Sequence, residues 1–435
     1  MDGDKREAAD FVSYGNAYGV WQPRLTSSIL KMKKRKFISQ GHLIDSGILT
    51  QTLNTIIAEG ADYEIIEFKV GKTNDQESVI EIDLICETEE QIQALSPKLV
   101  QFGSYEKKTP EALFKTASND KCVPEDFYST TNHRTEVFYN KKWCQVTNQR
   151  MDAVIVLKED GPACVKLRDV KKEDKILCSS ESVRVFPPAR ERGLEDFSFM
   201  SGDVSSERST DFVANKIAAE LIRMKEKKEK IVVVAGPVVV HSGGSRAFSA
   251  LVREGFFNGV LAGNALAVHD IESVFFGTSL GFCQKTGKPA SEGHKNHMRA
   301  INKVNLCGSI KNAVEQNVIT HGIMYEIVKA DIPYCLAGSI RDDGPLPETV
   351  TDIIEAQSQY AKIIEGASMV IMLASMLHSI GTGNMIPSWV KTVCIDINPA
   401  VVTKLSDRGS SQAMGIVSDV GLFLKALAEK CVPGF

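Results

Sequence analysis

Residues 261–272 hold an acid, a base and a carboxamide directly after a buried apolar run. Asn264, His269, Asp270 and Glu272 all lie within this segment. Such a group at the end of a strand suits proton transfer and polar recognition of a small ligand, which makes His269 and Asp270 candidate catalytic residues. Helix capping and core packing are the alternative roles for these two residues.

A first glycine loop follows a β-branched run at residues 231–235. Gly236 ends this run, and paired glycines at 243 and 244 precede a predicted helix. Glycines before a helix N-terminus let backbone N–H groups approach an anion, so Gly236 is a candidate for cofactor binding. A tight strand-to-helix turn is the alternative role.

A second glycine loop follows the strand predicted at residues 369–373. Its glycine and polar positions are Ser379, Gly381, Gly383 and Asn384. The loop resembles the phosphate-binding turn of a dinucleotide site, although Ile386 stands where the third glycine belongs. Asp396 lies near the end of the next predicted strand, before Asn398, where a carboxylate can accept hydrogen bonds from a ribose diol. The glycine loop and the acidic strand end together predict a dinucleotide site.

Two further segments carry polar groups of uncertain role. His294 and His297 have the types of metal ligands, but the glutamate of a zinc-protease motif and an obvious third ligand are both missing, so we predict no metal site here. Arg341 lies in a charged loop at 337–347. Its guanidinium can clamp a substrate carboxylate with two hydrogen bonds, or can pair with Asp342 or Asp343 instead.

The composition excludes several classes of protein. A net charge of −4 over 435 residues provides no general basic surface, so we do not expect a nucleic-acid partner. No apolar run reaches the roughly 18 residues of a membrane span, and we expect no membrane association. The ten cysteines include no C-x-x-C pair, which favours a reducing, cytoplasmic location over a disulfide framework.

The elements that must position these residues fall into three regions behind a flexible arm at 1–35. Residues 36–105 show the strand–helix–strand–strand–helix pattern of a ferredoxin-like or ACT-like α+β domain. Residues 120–190 contain short strands of a small β-rich module. Residues 195–435 alternate helices with buried strands, which predicts a parallel sheet. The expected fold class is therefore α/β, and all the candidate site residues lie in the third region.

Several longer stretches of the chain are distinctive: residues 127–133, 151–156, 262–272, 277–281, 293–297, 337–347, 378–387, 396–399 and 403–409. They closely resemble the LOR/SDH family, which is labelled after lysine–oxoglutarate reductase and saccharopine dehydrogenase and includes archaeal-type ornithine cyclodeaminase. The resemblance covers roughly residues 36 to 425.

This resemblance implies an NAD-binding domain whose sheet is similar to that of deoxyhypusine synthase, and it makes a homo-oligomer the expected assembly. By the same resemblance, Gly263, Asn264, Ala265, His269 and Asp270 line the nicotinamide end. Ser379, Gly381, Gly383 and Asn384 hold the pyrophosphate, and Asp396 holds the adenosine ribose.

The reaction that the resemblance implies is conversion of L-ornithine to L-proline and ammonia. In it a hydride is transferred from the substrate to NAD and is then transferred back. Arg341 is then the candidate carboxylate clamp, and His269 or Asp270 the base. Three other functions remain open: an oxidoreductase that releases NADH, a non-catalytic sensor of an amino acid and NAD, and a metal-dependent hydrolase using His294 and His297.

Overall fold

The computed structural model describes residues 32–44, 46–72, 76–187, 210–342, 344–406 and 413–435. Most of the predicted flexible arm, residues 1–31, lies outside this part of the chain. Its last residues, from Lys33, already belong to the first strand.

The N-terminal unit is a four-stranded antiparallel sheet with two helices. Its elements in chain order are β1 (Lys33–Gly41), α1 (Ile48–Ala58), β2 (Asp62–Lys69), β3 (Ser78–Cys86), α2 (Glu89–Gln101) and β4 (Ser104–Glu106). The strand order β2-β3-β1-β4 is that of a ferredoxin-like unit. Residues on β3 alternate between buried and half-buried, as expected of a strand with one face on a core.

The β-rich region consists of two small sheets. Its strands are β5 (Phe114–Thr116), β6 (Arg134–Tyr139), β7 (Lys142–Gln145), β8 (Val154–Lys158), β9 (Gly161–Val165), β10 (Lys175–Leu177) and β11 (Val183–Phe186). One sheet has the order β5-β10-β8-β9 and the other β11-β6-β7. Because β5 pairs with β10, the first sheet includes residues before the predicted start at 120.

The C-terminal region is built on seven strands that all pair in parallel. They are β12 (Lys230–Ala235), β13 (Gly259–Gly263), β16 (Tyr334–Ala337), β17 (Thr349–Val350), β18 (Ala367–Leu373), β19 (Lys391–Asp396) and β20 (Ala413–Val417), and a short hairpin adds β14 (Thr278–Ser279) and β15 (Phe282–Cys283). The sheet has the order β17-β16-β13-β12-β18-β19-β20.

The helices of this region are α3 (Thr210–Glu226), α4 (Val238–His241), α5 (Ser245–Arg253), α6 (Asn264–Phe276), α7 (Asn296–Cys307), α8 (Ile310–Glu315), α9 (Ile323–Lys329), α10 (Ile353–Ile364), α11 (Met376–Gly383), α12 (Pro399–Ser406) and α13 (Val420–Cys431). They cover both faces of the sheet and form two apolar cores. The continuous β-branched run of β12 is buried on both sides, as central parallel strands are. The predicted α/β fold class is confirmed.

The chain crosses from one side of β12 to the other after β17, so β12 and β18 flank the switch point of the sheet. Ligands of open parallel sheets bind at the carboxyl ends of the strands beside such a point. Among the described residues, no helix combines the length and apolar character needed to cross a membrane.

Candidate functional site

At the switch point the loops after β12 and β18 touch. The amide of Gly236 donates to the carbonyl of Leu373 at 2.9 Å. A Cβ atom on Gly236 would lie 2.0 Å from the carbonyl oxygen of Ala374, so only glycine allows this approach. Gly236 therefore lies at the carboxyl edge, as predicted, and because it has no side chain the two loops can approach each other.

The second glycine loop differs from its predicted geometry. Strand β18 ends at Leu373 and α11 begins at Met376, so Gly381 and Gly383 lie in the last turn of a helix and not in the strand-to-helix turn. Gly383 packs against α12, since a Cβ there would lie 2.8 Å from Cδ2 of Leu405, whereas Gly381 faces open space. The glycine spacing suggested a phosphate turn because a helix C-terminus favours glycine as well.

Helix α11 nevertheless carries polar groups that lack partners. The hydroxyls of Ser379 and Thr382 are buried and have no hydrogen-bond partner among the described residues. Buried hydroxyls are normally satisfied, so such atoms indicate room for a polar ligand. Asn384 ends this helix, half-buried.

Asp396 ends β19, next to β18 at the same edge. It is largely buried, and its Oδ1 accepts the amide of Asn398 at 2.8 Å, while the side chain of Asn398 accepts the amide of Ala400. The turn after β19 thus holds the Asp396 carboxylate at the strand end, which is the position from which acidic residues bind an adenosine ribose.

His378 lies over the end of β13. A Cβ on Gly263 would be 2.7 Å from its Nε2, and its Nδ1 is 3.1 Å from the hydroxyl of Tyr360, which donates to the carbonyl of Ala262 at 2.7 Å. Burial lowers the pKa of His378, so this imidazole is neutral at neutral pH. Gly263 is therefore needed to admit a histidine at the carboxyl edge.

Asn264 begins α6 and anchors the loop between β16 and β17. Its Oδ1 accepts from the amide of Leu346 at 3.1 Å and from the hydroxyl of Thr349 at 2.9 Å. The next residue, Ala265, is half-buried. Asn264 thus fixes the segment that carries Arg341.

Arg341 is exposed, and it forms no ion pair with any residue in the described part of the chain. Asp342 accepts the amide of Ser339 at 2.7 Å, and Asp343 lies outside the described residues. The pairing of Arg341 with Asp342 that we considered is therefore absent.

A cluster of histidines lies beside this edge. His241 is on α4, directly after β12, and His269 is in the second turn of α6, directly after β13. Their ring centroids are 4.6 Å apart, and the ring of His297 on α7 is 5.4 Å from that of His269. Burial and the neighbouring His269 lower the pKa of His241 to about 4.

His269 also contacts a carboxylate. Its Nδ1 lies 3.3 Å from Oε2 of Glu272, one turn further along the helix, and Glu272 is fully buried. Burial alone would raise the pKa of Glu272, but hydrogen bonds from His269, Gly281 and Thr278 outweigh it and lower that pKa. Glu272 therefore stays ionised.

Asp270 points to a different neighbour. Its two carboxylate oxygens accept the amides of Ile323 and Met324 at 2.9 and 2.8 Å, at the N-terminus of α9. The negative charge suits this end of a helix. The structure thus gives Asp270 the capping role that the sequence left as the alternative, and separates it from His269.

The remaining motifs have mixed outcomes. His294 is exposed, whereas His297 joins His269 and Glu272, with one ligand atom of each residue within 4.8 Å of the others. His269 and Glu272, both on α6, are therefore the further candidate metal ligands that the sequence did not reveal. Of the two paired glycines, Gly244 serves packing, because a Cβ there would lie 2.9 Å from Leu424 of α13, whereas Gly243 has open space around it and a φ of +80°.

Sequence reasoning did not select four of the residues that the structure places here: His241, Glu272, His297 and His378. Each lies in a segment that we had singled out. Two of them had a signal in the sequence: His297 was considered as a metal ligand together with His294, and Glu272 stands three residues after His269, a spacing at which residues share a helix face.

Comparison with known proteins agrees with this architecture. A conserved region of LOR/SDH bifunctional enzymes matches residues 34–133. The C-terminal part of ArgZ-like arginine dihydrolases matches in two pieces, a first region at 134–214 and a Rossmann-fold region at 215–427.

Individual relatives match over most of the chain. An ornithine cyclodeaminase of Methanocaldococcus jannaschii is 47% identical over 407 residues, which are 92% of this chain and 96% of that protein. The apo structure of cyanobacterial ArgZ, an arginine dihydrolase, superposes with a TM-score of 0.78 at 40% identity, over 94% of this chain and 60% of that one.

A complex of AgrE with ornithine and NAD+ superposes with a TM-score of 0.51 at 41% identity, over 92% of this chain and 57% of that one. The chain thus spans about three-fifths of the length of the ArgZ and AgrE chains. It belongs to the LOR/SDH-type, ArgZ-like enzyme family that includes the archaeal ornithine cyclodeaminases.

Proposed function

We propose that this chain is an NAD-dependent ornithine cyclodeaminase, which converts L-ornithine to L-proline and ammonia. The observation that carries the proposal is the convergence, at one edge of a parallel sheet, of Gly236, Gly263, the helix after β18 and Asp396. Its relatives named ornithine cyclodeaminase, and the AgrE complex with ornithine and NAD+, support the same reaction.

The residues at this edge fit NAD. Asp396 would bind the adenosine ribose from the end of β19, and the glycine contact of Gly236 with Ala374 keeps side chains out of the crevice at the switch point. The unpartnered hydroxyls of Ser379 and Thr382 on the intervening helix suit a phosphate group. The adenosine half would then lie on β18 and β19, and the nicotinamide half at β12 and β13, beside Gly263, Asn264 and Ala265.

Gly381, Gly383 and Asn384 have a weaker case as direct pyrophosphate ligands. Their place at the end of α11, away from its N-terminus, favours a role in shaping that helix. Asn398 likewise supports Asp396 through its amide.

The bound cofactor would supply an acceptor for a hydride from Cα of ornithine and a donor that returns it to the cyclic imine. The protein must move protons, because each ornithine nitrogen has to be neutral when it forms its new bond to Cα. His269 is the proposed proton acceptor, and a positioned acid or base contributes about 10²–10⁴-fold to the rate. Asp270, with both oxygens bound to α9, is not proposed for this step.

Arg341 is the proposed carboxylate clamp. It is free of ion pairs within the described part of the chain, and the loop that carries it is held by Asn264 at the start of α6. A planar guanidinium forms two parallel hydrogen bonds to a carboxylate, which orients the substrate as well as binding it.

Location and assembly complete the proposal. All ten cysteines are unpaired, which supports a reducing compartment such as the cytoplasm. We expect a homo-oligomer, which sedimentation of the purified protein will test.

The decisive experiment combines two measurements on one preparation. Mass spectrometry under native conditions should find NAD retained by the purified protein, and incubation with L-ornithine should yield proline and ammonia in equal amounts. The hydride is returned in every cycle, so NADH should not accumulate. NADH formed with each turnover would indicate an oxidoreductase, and the absence of NAD binding would exclude the proposal.

A further inference from the structure

Two segments of the chain, the hairpin at 278–283 and helix α6 itself, supply donors to the carboxylate of Glu272. The hydroxyl of Thr278 and the amide of Gly281 donate to its Oε1 at 2.8 and 3.0 Å. The amide of Leu280 donates to its Oε2 at 3.2 Å, and Nδ1 of His269 lies 3.3 Å from the same oxygen. A carboxylate accepts about four hydrogen bonds, so these four groups fill it.

The donors are held by a second set of contacts. The side-chain amide of Asn296 donates to the Thr278 hydroxyl at 3.0 Å, which commits the hydroxyl proton to Glu272. The backbones of Gly281 and Gly293 meet so closely that a Cβ on Gly281 would lie 2.7 Å from the carbonyl carbon of Gly293. The hairpin at 278–283 and the segment at 293–297 are therefore fixed against each other around one buried charge.

This arrangement determines which nitrogen of His269 carries the proton. An ionised carboxylate only accepts hydrogen bonds, so Nδ1 of His269 must be the donor. The neutral ring then presents Nε2 as an unprotonated acceptor, because the hydrogen bond at one ring nitrogen sets the state of the other. A buried carboxylate in this place also stabilises the ring after it has taken up a proton.

The neighbouring rings support the same role. The titratable groups that the structure places against His269 are Glu272 on its own helix, His241 on α4 and His297 on α7. The pKa of His241, lowered to about 4, keeps that ring neutral, so it does not oppose a positive charge on His269. Ser279 fixes His241 through a contact of 2.6 Å between its Oγ and Nδ1.

We propose that Glu272 is a positioning residue, which holds His269 in the tautomer whose Nε2 accepts protons from the ornithine amines. This proposal rests on the proposed function, because Glu272 is the residue that enables His269 to act as the base. Metal binding is the competing use of His269, Glu272 and His297. A metal ion would have to displace one of the four groups that already donate hydrogen bonds to Glu272, and two of these groups are backbone amides.

The test begins with the free protein, without NAD or ornithine. In ¹⁵N NMR of protein labelled at histidine, the His269 signals, assigned with His269→Gln, should show a protonated Nδ1 and a bare Nε2. In Glu272→Gln the side-chain amide becomes a donor, so the tautomer should reverse. A protonated Nε2 in the wild-type protein would overturn the proposal without any variant, which covers the case that Glu272→Gln does not fold.

Kinetics provide the second measurement. We expect Glu272→Gln to lower kcat by about 10²–10⁴-fold with little change in KM for ornithine. Loss of the negative charge should also move the acidic limb of the pH profile to lower pH, because a buried carboxylate no longer stabilises a cation beside it. Glu272→Asp keeps the charge and should recover part of kcat and of the profile. An unchanged pH profile in Glu272→Gln would overturn the role.

Glu326→Gln is the matched control. It removes a largely buried carboxylate that pairs with Arg253 on α5 and has no contact with the histidines among the described residues, so the tautomer and pH profile should stay as in wild type. Stoichiometric zinc in wild-type protein that is lost in Glu272→Gln would overturn the proposal in favour of a metal site. Wild-type protein that has the expected tautomer but forms no proline would instead refute the proposed function.

Discussion

The carboxyl edge of the sheet and the histidine cluster beside it are built in opposite ways. The edge is formed by backbone that comes close together where glycine leaves room, as at Gly236 and Gly263. At this edge the hydroxyl of Ser379 has no hydrogen-bond partner in the described structure. In the cluster, every acceptor position of Glu272 is occupied. An edge with unsatisfied groups is suited to receive a ligand, whereas a saturated cluster is suited to hold one side chain in one state.

This contrast implies that substitutions in the two regions should have different signatures. Changes at the edge should alter the binding of NAD or ornithine. Changes in the cluster should alter the rate and its pH dependence while binding remains.

The largest effect is expected from His269→Gln. Glutamine fills similar space and can still donate to Glu272, but it cannot take up a proton at neutral pH. We expect kcat to fall by about 10²–10⁴-fold, with NAD binding unchanged in calorimetry. A folded variant with a near-normal kcat would show that the base lies elsewhere.

The next effect is expected from Gly236→Ala at the edge. A Cβ at 2.0 Å from the carbonyl of Ala374 forces the two loops apart, which should cost about 1–3 kcal/mol in the free energy of unfolding and weaken NAD binding at least tenfold. Denaturant unfolding and calorimetry measure the two effects.

Gly381→Ala is the control for this substitution, because a Cβ there meets open space in a helix. Alanine should raise stability by about 0.5–1 kcal/mol. Unchanged NAD affinity would show that Gly381 only shapes the helix. A large loss of NAD affinity would instead support the direct pyrophosphate contact predicted from the sequence.

Arg341→Ala should act on substrate binding alone. A charge-assisted hydrogen bond is worth about 1.5–3 kcal/mol, so KM for ornithine should rise about 10–100-fold. The side chain is exposed, and we expect no change in thermal unfolding. Arg341→Lys should recover only part of the affinity, since lysine lacks the two-pronged geometry. Equal KM values in all three proteins would exclude Arg341 as the clamp.

The same contrast explains how much the sequence could predict. The parallel sheet and the positions of Gly236 and Asp396 followed from strand patterns, because the carboxyl ends of parallel strands meet at one edge whatever the details of packing. Gly263 was predicted from the family resemblance. Helix α11 was missed because glycines at 381 and 383 suit a helix end as well as a phosphate turn.

The cluster was beyond such reasoning. Glu272 is joined to Thr278 and Gly281 by a hairpin, and His297 reaches His269 because Gly281 and Gly293 meet backbone to backbone. Contacts of this kind depend on the tertiary path of short loops, which local patterns do not encode. Asp270 and His269 are adjacent in sequence, yet they face different helices because consecutive residues point about 100° apart around a helix.

Asp270→Asn has a small expected effect and distinguishes between the two roles of that residue. Asparagine keeps one acceptor for the amides of Ile323 and Met324, so we expect a loss of about 1 kcal/mol in the free energy of unfolding at neutral pH. Turnover per folded molecule should be retained. A loss of kcat by 100-fold or more in folded protein would show that Asp270 takes part in proton transfer, as the sequence suggested.

The pH dependence of stability gives an independent check on Asp270. Burial raises its pKa from 3.8 to about 6, against the opposing hydrogen bonds from Met324 and Ile323. Between about pH 4 and pH 6 the folded protein therefore holds a proton that the unfolded chain has released, so this group's stabilising contribution is complete below that window and is lost as the pH rises through it. Asparagine does not titrate, and the unfolding free energy of Asp270→Asn should consequently decline less steeply than that of wild type across the window in urea denaturation. Parallel curves would mean that the Asp270 carboxyl is already ionised at pH 4, held by the dipole and amides of α9 more strongly than burial opposes it.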